Sequence, residues 1–93
     1  MNIFALKDKT GRMIILSMER WKHILKHPEM SDKLEEIKEC LINPDVVIES
    51  RTDKNVRIYY RYNKNIKEYL LVSVKYLNGK GFIITSFYTD KIK

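Results

Sequence analysis

The sequence predicts an α+β protein in which two helices pack on an antiparallel sheet. Apolar residues recur every three or four positions between residues 18 and 41, which is typical of helices with one buried face. From residue 46 onward, β-branched and aromatic residues form short alternating runs separated by Asn, Asp and Gly turns, which is typical of antiparallel strands. The predicted order is an N-terminal β-hairpin, two helices and about four C-terminal strands.

The first half of the chain should form the hairpin and both helices. Apolar runs at residues 3–6 and 13–16 flank a turn that contains Gly11, which predicts the hairpin. Trp21 lies on the apolar stripe of the first helix, which should end near His27. Capping and helix-stopping residues mark the helix limits: Ser17 and Ser31 at the starts, Pro28 and the Asn43–Asp45 segment at the ends.

The second half should form the strands of the sheet. The four predicted strands cover residues 46–48, 57–62, 69–76 and 82–89. The first of them is β-branched throughout, so we expect it to be buried on both faces. The short polar connections between the runs favour antiparallel neighbours.

Length and composition indicate one globular domain over residues 1–93. Hydrophobic residues make up 44% of the chain and charged residues 32%, which is ordinary for a folded protein. The single cysteine, Cys40, excludes an internal disulfide. The chain lacks an apolar run long enough for a membrane span, and its first residues do not resemble a signal peptide. We therefore expect a cytoplasmic protein that does not bind membranes.

The positive charge is concentrated in the second half of the sequence. The net charge is +6, and the residues before position 47 contribute nothing to it because their acidic and basic side chains cancel. A one-sided positive surface attracts polyanions, of which nucleic acid is the commonest. A lysine-rich genome is the alternative explanation for the same charge.

Two histidines lie four residues apart in the first predicted helix. His23 and His27 share a helix side that points away from Trp21 and Leu25. Such a pair can bind zinc with a further ligand, but the nearest carboxylate, Glu29, follows the helix-ending proline, so we predict no metal site. The remaining interpretations are a solvated pair and a general acid or base, since histidine exchanges protons near neutral pH.

Cations and tyrosines alternate on the predicted strands. Arg57, Arg61 and Lys75 could hold phosphates, and neighbouring tyrosines could stack on unpaired bases. The alternative is that these residues have no binding role, because tyrosine has a high strand propensity and long cations are common on solvated strands. The residues that would bind RNA in this interpretation are Arg57, Tyr60 and Tyr62, together with the hydroxyl-bearing Ser86 and Tyr88 of the last strand.

Two sequence blocks resemble the phage and bacterial nucleases related to barnase, EndoU, colicin and RelE. The first is W-K-H-I at 21–24 followed by H-P-E at 27–29, and the second is G-F-I-I-T-S at 81–86. The resemblance covers roughly residues 10–92 and implies two helices packed on an antiparallel sheet. It also implies catalysis by a helix histidine (His23 or His27), a strand cation (Arg61 or Lys75) and the hydroxyl of Thr85.

The expected function is therefore a small endoribonuclease of toxin or phage-effector type. The resemblance implies that a 2′-hydroxyl attacks the adjacent phosphate of an mRNA or tRNA, with no metal and no cofactor. The alternative is a catalytically silent module that binds RNA or a partner protein in a toxin–antitoxin or phage system. For either function, the protein partner that we expect is an acidic antitoxin or immunity protein.

Overall fold

The computed structural model describes residues 1–8 and 10–92, which form strands, two α-helices and a short 3₁₀ helix. The helices are α1 (Met18–Ile24) and α2 (Leu34–Ile42), with the 3₁₀ helix at Pro28–Met30 between them. In chain order, the strands are β1 (Asn2–Lys7), β2 (Met13–Ser17), β3 (Val46–Glu49), β4 (Val56–Asn63), β5 (Glu68–Leu77) and β6 (Lys80–Thr89). None of the helices among these residues is long and apolar enough to cross a membrane.

The strands form one mixed sheet of six strands in the order β1-β2-β6-β5-β4-β3. The predicted α+β class is confirmed, but the N-terminal hairpin extends the sheet instead of packing beside a four-stranded one. Strand β2 runs parallel to β6 through the pairs Ile14–Gly81 and Ile15–Phe82. This pairing joins two segments that are far apart in the sequence. It also supplies hydrogen-bond partners to backbone groups of β6 that would otherwise lie unpaired at a sheet edge.

Gly81 lets the hairpin strand approach the sheet closely. A β-carbon at this position would lie 2.9 Å from Cγ1 of Val74 and 3.1 Å from Cγ1 of Ile14. Both neighbours belong to the core, so neither has free space into which to move. The glycine in the second sequence block therefore has a structural role at the junction of β2, β5 and β6.

Both helices contribute to a single core on one face of the sheet. Trp21 and Ile24 of α1 and Ile37 of α2 pack in the same cluster as Val72 and Val74 of β5. Trp21 is only 9% exposed, as its position on the apolar stripe predicts. The face of the sheet that carries Val72 and Val74 is the helix face, and the opposite one is called the open face below.

The helix limits are confirmed in part. Ser17 caps α1 as predicted, because its hydroxyl accepts a hydrogen bond from the backbone N–H of Arg20 at 3.1 Å. The helix ends at Ile24 instead of near His27, and the chain turns before Pro28. Ser31 is not the cap of α2, which begins after Lys33, because the 3₁₀ helix and the turn that follows it occupy that segment.

Strand β3 is not buried on both faces as predicted. It pairs only with β4 and forms one edge of the sheet, and the side chain of Val47 is 42% exposed. A β-branched run suits any pleated, half-buried surface, so it does not distinguish an edge strand from a strand buried on both faces.

Candidate active site

The sheet register divides the predicted site residues between the two faces. Side chains alternate along each strand, and paired residues of neighbouring strands point to the same side. Leu70 and Val72 pack under the helices, so their pairing partners lie on the helix face. By this criterion Arg57, Arg61, Ser86 and Tyr88 lie on the helix face, and Tyr60, Tyr62, Lys75 and Thr85 lie on the open face.

This division decides which cation can act with Thr85. Thr85 pairs with Ser73 on the open face, and Lys75 lies two residues further along the same side of β5. Arg61 pairs with Leu70 and lies on the other side of the sheet. The sequence leaves Arg61 and Lys75 as alternatives, and the fold brings only Lys75 to the face that carries Thr85.

His27 lies against the last strand. Its ring centroid is 5.5 Å from that of Phe87, with the two ring planes tilted by 36°. Phe87 pairs with Leu71, so it occupies the same side of β6 as Thr85, two residues away. The half-buried His27 thus holds an ionisable ring beside the row of open-face residues.

His23 is exposed on α1 and makes no such contact among the described residues. It lines a shallow surface depression of about 320 Å³ together with charged residues of the same helix region: Glu19, Arg20, Lys22 and Lys26. Its side chain therefore lies among charged side chains of α1 and the turn after it, beside solvent.

Arg20 is a functional candidate that sequence reasoning missed. It lines the depression beside His23 and also a second cavity of about 240 Å³ that includes Lys75, Phe82 and Ile84. It lies three residues before His23, which places the two on one side of the helix, and this spacing could have identified it. We use the name α1 groove for the candidate surface of Arg20, His23, His27, Lys75, Thr85 and Phe87, within which Arg20 shares one cavity with His23 and another with Lys75, and His27 contacts Phe87.

Lys75 forms an ion pair within this region. Its Nζ lies 3.0 Å from Oδ2 of Asp53. A hydrogen bond from the backbone N–H of Asn55, followed by the contact with Lys75, lowers the pKa of Asp53. Because this pair is exposed to solvent, a phosphate group can compete with the carboxylate for the ammonium.

Arg61 lies in a different pocket on the helix face. Its Nη1 donates to the backbone carbonyl of Asn43 at 2.5 Å, and its Nη2 lies 3.7 Å from Oε1 of Glu39. The pocket has a volume of about 420 Å³ and is formed where β4 and β5 meet their connecting turn. Its lining consists of Glu36, Glu39, Arg61, Tyr62, Asn63, Lys64, Asn65, Leu70 and Tyr88, and we call it the β4–β5 end pocket.

The predicted RNA-binding residues differ in accessibility. Tyr62 is 44% exposed and contacts Tyr69 edge to face at a centroid distance of 5.0 Å. Tyr60 is buried, so its ring offers no surface for base stacking. Ser86 is also buried, and its hydroxyl donates to the carbonyl of Leu71 at 2.8 Å. Both side chains are enclosed by the protein in this structure, and their contact with RNA stays a prediction.

Tyr88 is half-buried and forms part of the wall of the β4–β5 end pocket. Burial raises the pKa of its hydroxyl, and a hydrogen bond with Asn63 and the charge of Lys33 act in the opposite direction. The hydroxyl is therefore protonated at neutral pH and available as a hydrogen-bond donor or acceptor.

Arg57 belongs to a third group of residues, near the β1–β2 turn. Its guanidinium carbon lies 5.8 Å from the ring centroid of Tyr76, and that of Arg12 lies 4.0 Å from the same centroid. Asp8 and Tyr59 lie beside them around a cavity of about 180 Å³.

Within the described residues, no three histidine, cysteine, aspartate or glutamate side chains are grouped closely enough to hold a metal ion.

The comparison with known families agrees with the resemblance found in the two sequence blocks. The model of the phage-Barnase-EndoU-ColicinE5/D-RelE like nuclease2 family matches residues 4–93. The chain belongs to this nuclease family. Both the α1 groove and the β4–β5 end pocket fall inside the matched range. No curated protein and no solved structure is similar enough to this nuclease-family chain to count as a match.

Proposed function

We propose that this nuclease-family protein is an endoribonuclease that cleaves RNA in the α1 groove without a metal ion. The observation that supports this most directly is the contact between His27 and Phe87. It brings a proton-transfer group to the row of open-face side chains that includes Thr85. Membership of the nuclease family supports the reaction class.

The proposed reaction is an internal transfer of the phosphodiester. The 2′-oxygen forms a bond to the adjacent phosphorus, and the bond from phosphorus to the 5′-oxygen of the next nucleotide breaks. A base removes the 2′-proton, and an acid supplies a proton to the leaving oxygen. His27 is the first candidate for one of these proton transfers, and the exposed His23 is the second.

The remaining groups of the groove would act on the phosphate. Lys75 and Arg20 line the same cavity and can stabilise the negative charge that develops on the phosphate oxygens. The hydroxyl of Thr85 would orient a non-bridging oxygen through a hydrogen bond. Protein cations thereby perform the charge stabilisation for which other nucleases use a metal.

Cleavage of a panel of single-stranded RNAs in EDTA tests this proposal. We expect products that end in a 2′,3′-cyclic phosphate and a rate that depends on a histidine-like ionisation. His27→Gln should lower the rate at least about 10²-fold, the lower limit for a positioned acid or base. Lys91→Gln, on an exposed residue outside the proposed site, serves as the control variant. A folded protein that binds RNA and cuts none of the panel would overturn the proposal.

A second candidate function is RNA binding without cleavage. It is favoured by the exposed ring of Tyr62 beside Tyr69 on the open face and by the net charge of +6. Such binding should weaken linearly with salt concentration on logarithmic axes, because each phosphate contact releases counterions. An acidic antitoxin or immunity protein would compete for the same positive surface, so its addition should displace bound RNA.

A further inference from the structure

We propose that the protein forms a symmetric dimer in which strand β3 of one copy pairs antiparallel with β3 of a second copy. Among the described residues, β3 pairs only with β4 and is therefore an edge of the sheet. A strand edge offers unpaired backbone N–H and C=O groups to another strand. This inference concerns assembly and does not depend on whether the protein cuts RNA.

The two edges of the sheet differ in their protection against such pairing. At the far edge, β1 has an irregularity in its register between Asn2 and Phe4, and it ends in Lys7. Bulges and edge lysines are common features that prevent contact between strand edges. Strand β3 pairs regularly with β4 along its whole length and contains neither lysine nor proline. The β3 edge is therefore the one that can accept a second strand.

The backbone groups of Val47 and Glu49 point outward from this edge. The N–H of Ser50 donates to the carbonyl of Val56 on β4 at 2.9 Å, which makes these two residues a hydrogen-bonded pair. Hydrogen-bonded and non-hydrogen-bonded pairs alternate along an antiparallel ladder. Glu49 and Val47 lie one and three residues before Ser50, so both occupy non-hydrogen-bonded positions and direct their N–H and C=O groups away from β4.

Backbone geometry and charge together select one register for the new pairing. Only the outward-pointing residues can bond to the second copy, so they must face one another across the contact. With Val47 opposite Glu49 of the second copy, both residues are bonded, and Ile48 faces Ile48 on the two-fold axis. A shift by one such step would place Glu49 opposite Glu49 or opposite Asp45, and like charges directly opposite each other are destabilising.

The residues that flank β3 have complementary charges in the selected register. Asp45 precedes the strand and Arg51 follows it, and both are exposed. Their positions face each other across the two-fold axis, so each dimer contains two such pairs. Oδ2 of Asp45 accepts a hydrogen bond from the backbone N–H of Tyr62 at 2.7 Å, which holds the carboxylate beside β4 at this end of β3. This arrangement of charges favours a second copy of the same chain as the partner.

The dimer would join two sheets into one continuous sheet. Antiparallel pairing of identical edges places the two-fold axis perpendicular to the sheet, so the open faces of both copies lie on the same side. The contact involves only one short strand from each copy and is therefore smaller than a standard interface of about 1,600 Å². We accordingly expect a weak dimer whose population depends on protein concentration.

Replacement of Ile48 by cysteine tests the register directly. A non-hydrogen-bonded antiparallel pair has Cα atoms about 4.5 Å apart, which lies within the range of about 4.4–6.8 Å that a disulfide requires. Ile48→Cys should therefore form a disulfide-linked dimer in an oxidising glutathione buffer, as non-reducing electrophoresis would show. Val46→Cys is the matched control, because Val46 is half-buried on the same side of β3. The two copies of position 46 would lie about 13 Å apart along the strands, so this variant should stay unlinked.

Sedimentation equilibrium tests the charge pairs without a covalent link. The unaltered protein should show a reversible dimer at concentrations up to about 1 mM, which covers the weak end of protein association. Arg51→Glu should raise the dissociation constant about twofold to thirtyfold, because two exposed ion pairs are lost. Lys80→Glu makes the same change of charge on an exposed residue of the distant β6 and should not weaken the dimer. Addition of Asp45→Lys to Arg51→Glu should restore the affinity, since opposite charges again face each other.

The outcomes decide between a two-fold β3 contact and a monomer. A chain that stays monomeric over this concentration range would overturn the inference. Equal rates of cross-linking for Ile48→Cys and Val46→Cys, or a dimer that does not respond to Arg51→Glu, would overturn it as well. Cross-linking confined to Ile48→Cys, together with rescue by the reversed charges, would support it. Cleavage of RNA or its absence bears on the proposed function alone.

Discussion

The hydroxyl oxygens of Tyr59 and Tyr76 lie 2.5 Å apart in the interior of the helix face. Tyr76 donates its only hydroxyl proton to Oδ2 of Asp8 at 3.1 Å, so Tyr59 must be the donor to Tyr76. The resulting chain runs from Tyr59 through Tyr76 to a carboxylate in the β1–β2 turn. It ties the hairpin to strands β4 and β5, which lie far from it in the sequence.

Removal of either tyrosine hydroxyl should lower the free energy of unfolding, and the loss should be larger for Tyr76 than for Tyr59. Tyr76→Phe removes both hydrogen bonds of the chain, one of them to a charged group, and should lower the free energy of unfolding by at least about 1.5–3 kcal/mol. Tyr59→Phe removes only a neutral one and should cost about 0.5–1.5 kcal/mol. Urea denaturation followed by circular dichroism measures both. An equal or reversed order would show that the hydrogen bond to Asp8 does not stabilise the fold as described.

Ionisation of Asp8 should make the folding stability of the protein depend on pH in the acidic range. Burial raises the pKa of this carboxyl, but hydrogen bonds from Thr10, Arg12 and Tyr76 together outweigh burial and lower it below the ordinary value of 3.8. The ionised group therefore stabilises the fold above that ordinary value, and its contribution is lost as the pH falls further through the lowered pKa. Asp8→Asn should flatten the fall in melting temperature at acidic pH.

The control for this prediction is Asp90→Asn, because Asp90 is exposed. It should leave the pH dependence of the melting temperature as it is in the unaltered protein. If the melting temperatures of Asp8→Asn and Asp90→Asn fall in the same way at acidic pH, the hydrogen bonds to Asp8 do not stabilise its ionised form.

Trp21 should dominate the contribution of α1 to stability. Trp21→Ala removes a large ring that is only 9% exposed and should cost about 3–5 kcal/mol of unfolding free energy. Leu25→Ala is the comparison, since Leu25 is 37% exposed and should cost far less. Because Trp21 is the only tryptophan, circular dichroism is the suitable probe for the variant. Similar costs for both variants would contradict the packing of α1.

Gly81→Ala should destabilise the protein by overpacking. The added methyl group would lie 2.9 Å from Cγ1 of Val74, and relief of such a clash typically costs about 1–3 kcal/mol. The second substitution Val74→Ala should then be less harmful in the Gly81→Ala background than alone, as a double-mutant cycle would measure. Simple additivity of the two changes would exclude steric conflict as the cause.

Cys40 should be chemically inert in the folded protein. Burial raises the pKa of its thiol to about 12, so the reactive thiolate is scarce at neutral pH. A thiol reagent such as iodoacetamide should modify the chain only as fast as it unfolds, and rapidly in denaturant. Fast modification of the native protein at neutral pH would show that the contact between α2 and β5 opens readily.

Local patterns in the sequence were sufficient for most of the elements. The alternation at residues 57–62 predicts strand β4, and the cap at Ser17 predicts the start of α1 because the hydroxyl acts on an N–H three residues away. The start of α2 was missed, since nothing local distinguishes a serine that caps a helix from one that follows a 3₁₀ turn.

The candidate site was predictable only in its residue types. The sequence identified two histidines, strand cations and a late hydroxyl as suitable chemistry, and it left open which of them meet. Arg20 was overlooked, because its relation to Lys75 depends on how α1 crosses the end of the sheet. The β4–β5 end pocket likewise combines Glu36 with Tyr88, which no spacing in the sequence connects.

By itself the sequence determined the α+β class, the buried position of Trp21, the family and the set of side chains able to transfer protons or bind phosphate. Only the tertiary structure decided that Lys75 shares a face with Thr85 while Arg61 lies on the other, and that β2 joins the sheet in parallel with β6. The physical reason is that alternation along a strand places its side chains on two opposite faces, whereas long-range strand pairing and helix packing determine which of the two faces is buried.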